Sequence, residues 1–190
     1  MKILVLDNYD SFTYNLVYML RKLGYKNQME VYRNDKLSLD RVSNYDLILL
    51  SPGPGVPQDA GIMPELILKY GSIKNILGVC LGHQAIGEAY GSSLVNLTEV
   101  VHGLATEVEV NQEEYLFRGL PQNFQIGRYH SWVIDPKNIA PDLDVTAKSL
   151  DGQIMAVKHK IHEVRGIQFH PESILTEFGY EIIQNWIKTY

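Results

Sequence analysis

Apolar residues in this chain fall into short runs with two different periods. Residues 2–6 are almost wholly apolar and run into the polar cluster Asp7-Asn8-Tyr9-Asp10-Ser11, which predicts a strand followed by a turn. From Phe12 the apolar positions Phe12, Leu16, Met19, Leu20 and Leu23 recur at helical spacing. Ser11 is the expected N-cap, and Gly24 the expected left-handed terminator. Residues 29–32 predict a second strand, 39–43 a short helix, 47–50 a third strand and 76–79 a fourth. Runs that are apolar on both faces and alternate with helices imply a parallel sheet covered on each side.

After about residue 100 the rhythm changes. Residues 105–110, 124–129, 143–148, 154–158 and 164–169 predict strands with short connections, so antiparallel pairing is expected there. Ile174, Phe178, Ile182, Ile183, Trp186 and Ile187 then share one broad face of a final helix. No repeat, low-complexity tract or linker interrupts the pattern. The expectation is one α/β domain over residues 1–190, with a mixed sheet.

Composition narrows the class. The chain has 190 residues, enough to bury a core without disulfides or a metal. A formal charge of -5 argues against nucleic acid and acidic membranes as partners, since both select Lys/Arg-rich surfaces. No apolar run approaches the ~20 residues of a membrane helix. The amino terminus lacks the architecture of a cleaved signal, so the cytoplasm is the expected compartment.

The single cysteine, Cys80, decides the chemistry by its neighbours. Gly78-Val79-Cys80-Leu81-Gly82 is G-x-C-x-G between an apolar strand and a helix-forming stretch, the thiol counterpart of the G-x-S-x-G elbow. Such a turn strains the nucleophile and needs slim neighbours, which the two glycines supply. The helix amino end favours thiolate, and the Leu81 N–H is aimed where an oxyanion forms. Taken alone, the short pattern equally fits a glycine-rich turn around an inert cysteine.

A thiol nucleophile needs a base close in space. His83 should turn away on the helix and pack; His102 and His130 are read as loop or strand-end residues. His159 and His162 lie in a charged stretch that reads as an exposed hairpin tip, and as a metal pair they lack a third ligand. His170 differs. In Phe169-His170-Pro171-Glu172-Ser173 it ends an apolar strand, and Pro171 fixes a turn that lets Glu172 fold back to the imidazole. Open α/β sheets gather their sites at strand carboxyl ends, where both Cys80 and His170 fall. A capping histidine and a helix-start carboxylate are the bland readings of this pair. Ser51-Pro52-Gly53-Pro54-Gly55 also follows an apolar strand, and Gly53 N–H is a candidate second oxyanion donor; a plain tight turn is its alternative.

Together, S-P-G-P-G at 51–55, G-V-C-L-G-H-Q at 78–84 and F-H-P-E-S at 169–173 resemble the class I (triad) glutamine amidotransferases, in order and spacing over essentially the whole chain. Within the class, Leu6 to Asn15 and Arg128-Tyr129-His130-Ser131 resemble the glutaminase components of anthranilate synthase and of para-aminobenzoate (aminodeoxychorismate) synthase. The resemblance implies a flavodoxin-like three-layer fold. It implies that Cys80 attacks the glutamine amide carbonyl, His170 shuttles the proton and Glu172 orients His170. Gly53 and Leu81 would form the oxyanion hole, and Gln84, Ser131, Trp132 and the Gly53-Pro54-Gly55 backbone would hold glutamine. Ammonia would pass to a chorismate-binding synthase subunit. No metal or organic cofactor is implied on this chain, the Mg²⁺ of such systems belonging to the synthase. Two positions depart from the family pattern: Leu104 where His-Gly is usually followed by Lys or Arg, and Trp132 where Leu is commoner. A stand-alone Cys hydrolase of γ-glutamyl or other amides, and a non-catalytic module, are the readings outside this role.

Overall fold

The computed structural model describes residues 1–189, the side chains of residues 99 and 100 excepted. Among the described residues, nine strands form one sheet: β1 (Ile3–Asp7), β2 (Met29–Arg33), β3 (Leu47–Leu50), β4 (Asn75–Val79), β5 (Leu94–Val110), β6 (Asn123–Ile134), β7 (Leu143–Ser149), β8 (Ile154–His159) and β9 (Val164–Ile167). The helices are α1 (Thr13–Lys22), α2 (Met63–Tyr70), α3 (Leu81–Ala89) and α4 (Gly179–Ile187). Strand order is β2-β1-β3-β4-β9-β8-β7-β5-β6. The first five strands in that order pair in parallel, and the rest pair antiparallel. The expected mixed sheet is therefore present, with β9 as the junction: parallel to β4 on one side, antiparallel to β8 on the other.

Alternation along the strands sorts the core into two layers. Ile3, Val5, Leu47, Leu49, Leu77 and Val79 pack toward Leu16 and Leu20 of α1 and Ile183 and Trp186 of α4. Leu4, Leu6, Ile48, Leu50 and Ile76 pack toward Leu66 and Ile67 of α2 and Ala85 and Ile86 of α3. Strands buried on both faces read as continuous apolar runs because each face meets a helix layer. The polar end of Trp186 is satisfied as well, Nε1 donating to Asn75 Oδ1 at 2.6 Å.

Several expectations are corrected. Ser11 is not the N-cap of α1; Phe12 occupies that position without a side-chain cap. The turn is held instead by Asp7, whose Oδ1 accepts from Tyr9 N and Thr13 Oγ1, and by Asp10, whose Oδ1 accepts from Phe12 N. Gly24 does take a left-handed φ of 96°. The final helix starts at Gly179, and Ile174, expected on its buried face, is 99% exposed. The strand expected over 164–169 ends at Ile167, which frees the following residues to turn into the site. Helix α2 has no counterpart in the sequence reading.

Residues 168–177 matter for placement. His170 N donates to Gly127 O, Gly127 N donates to Thr176 Oγ1, and Thr176 Oγ1 donates to His170 O at 2.6 Å. This segment thus binds the free edge of β6, shielding an otherwise open strand and fixing His170 beside it. Among the described residues, no helix is long and apolar enough to cross a membrane.

Candidate active site

The elbow around Cys80 is sterically determined. Cys80 takes φ 52° and ψ -100°, a positive φ that L-residues rarely adopt. Its N–H donates to Ile167 O at 2.8 Å and its carbonyl accepts from Gln84 N at 3.0 Å, so strand β9 and the first turn of α3 hold the strain. A Cβ at Gly78 would lie 2.4 Å from the Gly82 carbonyl carbon, and one at Gly82 2.8 Å from both Cβ and O of Leu50. Both glycines of the motif are demanded by close backbone approach. The thiol stands at the amino end of α3, where unpaired backbone N–H groups and the helix dipole favour an anion.

The candidate base and its candidate orienter are in direct contact. His170 Nδ1 contacts Glu172 Oε1 at 2.6 Å, with both side chains nearly inaccessible. Burial pulls the His170 pKa down, but hydrogen bonding and charge from Cys80 and Glu172 outweigh it and push it up to about 10. The imidazole therefore stands close enough to Cys80 to be influenced by it. Phe12 and Tyr129 pack edge-on against the imidazole, at centroid distances of 5.9 and 5.0 Å.

In front of Cys80 lies a cavity of about 230 Å³, lined by Gly53, Pro54, Gly55, Gln84, Ser131 and Trp132 together with Val101, His102, Tyr129 and His130. Every residue expected to hold a substrate is in this wall. None of its lining residues is Asp, Glu, Lys or Arg. His170 and Glu172 are not among the lining residues. Leu81 is in contact with Gly53: a Cβ there would meet Leu81 Cδ2 and Asn8 Cβ, each at 2.7 Å. The two candidate oxyanion donors are thus carried by adjoining segments. Asn8 staples the 51–55 loop in place, its backbone N–H donating to Ser51 Oγ and its Nδ2 to Ser51 O at 2.8 Å.

Of the remaining histidines, His83 meets expectation and three others do not. His102 and His130 lie within β5 and β6, not in loops. His130 accepts from Arg128 Nε at 3.2 Å and is neutral, its pKa lowered to about 3 by burial and by the Arg128 charge. His83 packs as expected, fully buried, and burial lowers it to about 4. His159 is not at an exposed tip; it is 6% exposed, stacked on His162 and accepting N–H bonds from Ile161 and His162.

Sequence reasoning passed over Gln168. It is fully buried, and its Nε2 lies 3.6 Å from Cys80 Sγ. Its one sequence signal was a polar residue at the end of an apolar strand, two positions before His170.

The family model for class-I glutamine amidotransferases matches residues 4–189. The chain is 41% identical over 190 residues to the Bacillus subtilis aminodeoxychorismate/anthranilate synthase component 2, covering 99% of this chain and 96% of that protein. It is 45% identical over 192 residues to the Mycobacterium tuberculosis anthranilate synthase component 2, covering 98% and 82%. Among solved structures, a Thermoplasma acidophilum protein provisionally described as a GMP synthase component superposes with a TM-score of 0.88 at 29% identity, covering 99% of this chain and 92% of that one. A strained thiol elbow, a buried imidazole–carboxylate pair and a whole-length match agree, and the chain belongs to the class-I glutamine amidotransferase family.

Proposed function

We propose that this chain is the glutaminase subunit of a chorismate-aminating synthase, with anthranilate, the tryptophan precursor, as the product. One observation carries the reading above all: a left-handed cysteine at the head of α3, coupled to a buried His170–Glu172 pair, opens on an uncharged cavity of amino-acid size. The curated relatives extend it to the synthase. Because the Bacillus subtilis relative carries both product names, aminodeoxychorismate is the second product to be tested.

The chemistry follows from the roles. Glutamine lies along Gly53-Pro54-Gly55, Gln84, Ser131 and Trp132, with its amide carbon at Cys80 Sγ. The thiolate attacks that carbon, and the oxyanion forms against the N–H groups of Leu81 and Gly53. The His170 imidazolium, held by Glu172, protonates the departing nitrogen, and ammonia leaves. Sγ remains bonded to the γ-glutamyl carbonyl as a thioester. Water, deprotonated by His170, attacks the thioester, and glutamate departs with return of the thiolate. The ammonia passes to the partner subunit that binds chorismate. Residues 1–190 act as one amidotransferase domain, and the cytoplasm is the proposed compartment.

The test is glutamate release and aromatic amine formation by the purified chain mixed with each chorismate-binding synthase subunit. Glutamine-dependent anthranilate or aminodeoxychorismate, lost by several orders of magnitude in Cys80→Ala, is the expected result. Unchanged glutamine consumption in that variant would exclude the thiol mechanism.

A further inference from the structure

The amide of Gln168 has no freedom in how it faces the cysteine, and a backbone carbonyl three groups away decides it. Trp132 O can only accept, so the Gln84 atom lying 2.8 Å from it is the donor Nε2. That same Nε2 lies 3.3 Å from the Gln168 side chain, which must present its acceptor Oε1 there. The amide is planar, and its NH₂ end therefore points away from Gln84. It lies 3.6 Å from Cys80 Sγ, within range of an N–H···S hydrogen bond. Orientation that in other glutamines is ambiguous is here fixed link by link.

We propose that Gln168 is a thiolate-holding residue, its amide N–H donating to Cys80 Sγ from the protein side while the cavity side stays open to substrate. The proposal rests on reading Cys80 as the nucleophile. A thiolate accepts far more strongly than a thiol, so a fixed donor favours the charged form and holds sulfur in one place. Gln168 is fully buried, and its backbone N–H donates to Met155 O at 2.8 Å, so the donor is carried by the sheet. A buried amide that served packing alone would need no partner on the reacting atom, and an apolar side chain would fill the space at lower cost. His170 supplies charge to the thiolate; Gln168 supplies direction. The other titratable groups around the thiol are Glu172 behind His170, His102, Tyr129 and His130 in the cavity wall, and His83 on α3.

Because Cys80 is the only cysteine, alkylation by iodoacetamide reads it alone. The rate against pH, with mass-spectrometric location of the label, gives the thiol midpoint. Gln168→Met keeps the volume and removes the donor; it is expected to raise the midpoint by about one unit, which leaves roughly tenfold less thiolate below it. Gln168→Glu, which puts a carboxylate beside sulfur, raises it at least as far. Gln84→Met leaves Gln168 in place but frees its amide to turn, and raises the midpoint by less. It carries the test if the position 168 variants do not fold. With the synthase present, Gln168→Met lowers kcat below the midpoint with little change in KM. A midpoint equal to wild type in folded Gln168→Met or Gln84→Met overturns the proposal. Glutamine turnover by the wild-type chain is read separately, since its absence strikes the glutaminase reading and leaves the alkylation midpoint to judge Gln168.

Discussion

Replacing Gly78 by alanine separates two explanations for a glycine, because they differ in sign. Gly78 lies in β4 and is not among the residues of positive φ. If glycine were there for freedom alone, alanine would restrict the unfolded chain and stabilise the fold by about 0.4–1 kcal/mol. The contacts say otherwise. The added Cβ would sit 2.4 Å from the Gly82 carbonyl carbon, 2.5 Å from its oxygen and 2.7 Å from Ile86 Cδ1. Carbon atoms rest at about 3.5–4.0 Å, so α3 must withdraw from β4 by about 1 Å. Two of the three obstructing atoms are backbone, which no rotamer change relieves. Overpacking of this kind costs about 1–3 kcal/mol, and it outweighs the entropic gain. The same shift moves Cys80, which links β4 to α3, relative to His170 and the 51–55 loop. A displacement of about 1 Å at reacting atoms costs on the order of 100-fold in rate. Urea denaturation should therefore show Gly78→Ala destabilised, and glutamate release with the synthase present should fall about 100-fold. Gly82→Ala, whose nearest obstruction is 2.8 Å away and partly side chain, should be milder. A Gly78→Ala protein as stable as wild type, with turnover within about threefold, would refute the steric reasoning.

Two further outcomes follow from the geometry. His170 is raised to about 10, so its contribution to stability is complete below the unfolded value of 6.5 and is lost as pH rises toward 10. His83 and His130 are lowered to about 4 and about 3, so their contribution is complete above 6.5 and is lost as pH falls toward those values. Stability by urea titration should thus peak near neutrality and fall on both sides, by at most about 1.4 kcal/mol per pH unit per group; a profile that rises from pH 7 to 9 would contradict the His170 assignment. Asn8→Ala removes the side-chain bond to Ser51 O, together with the acceptor of Asn34 Nδ2. It should loosen the 51–55 loop, lowering kcat about tenfold or more through Gly53, with the alkylation midpoint of Cys80 unchanged.

How much of this was written in the sequence depends on the range over which each feature is determined. The elbow was legible because its cause is local: a nucleophile at positive φ between a strand and a helix needs slim residues two positions either side, and Gly78 and Gly82 are visible as letters. The parallel half was legible for a related reason, since strands such as Leu47–Leu50 are buried on both faces and show no polar interruption. Helix α2 was missed because it is eight residues long and has Pro64 as its second residue, which in a sequence reads as a breaker while in a first helical turn it is tolerated. Strand β5 was read from residue 105, yet it begins at Leu94. Register shifts between Asn96 and Val101 and between His102 and Leu104 break the period that a reader follows. His130 looked peripheral because nothing local tells that Arg128 and His130 point inward from β6. Gln168 shows the limit most clearly. Its partners Cys80 and Gln84 lie 88 and 84 positions away, and the carbonyl that orients the chain belongs to Trp132. The sequence determined the elbow at Cys80 and the turn that brings Glu172 back to His170, because strain and chain reversal are properties of neighbours. Only the tertiary structure decided what faces them, because a hydrogen-bond partner across a sheet leaves no periodic trace in either strand.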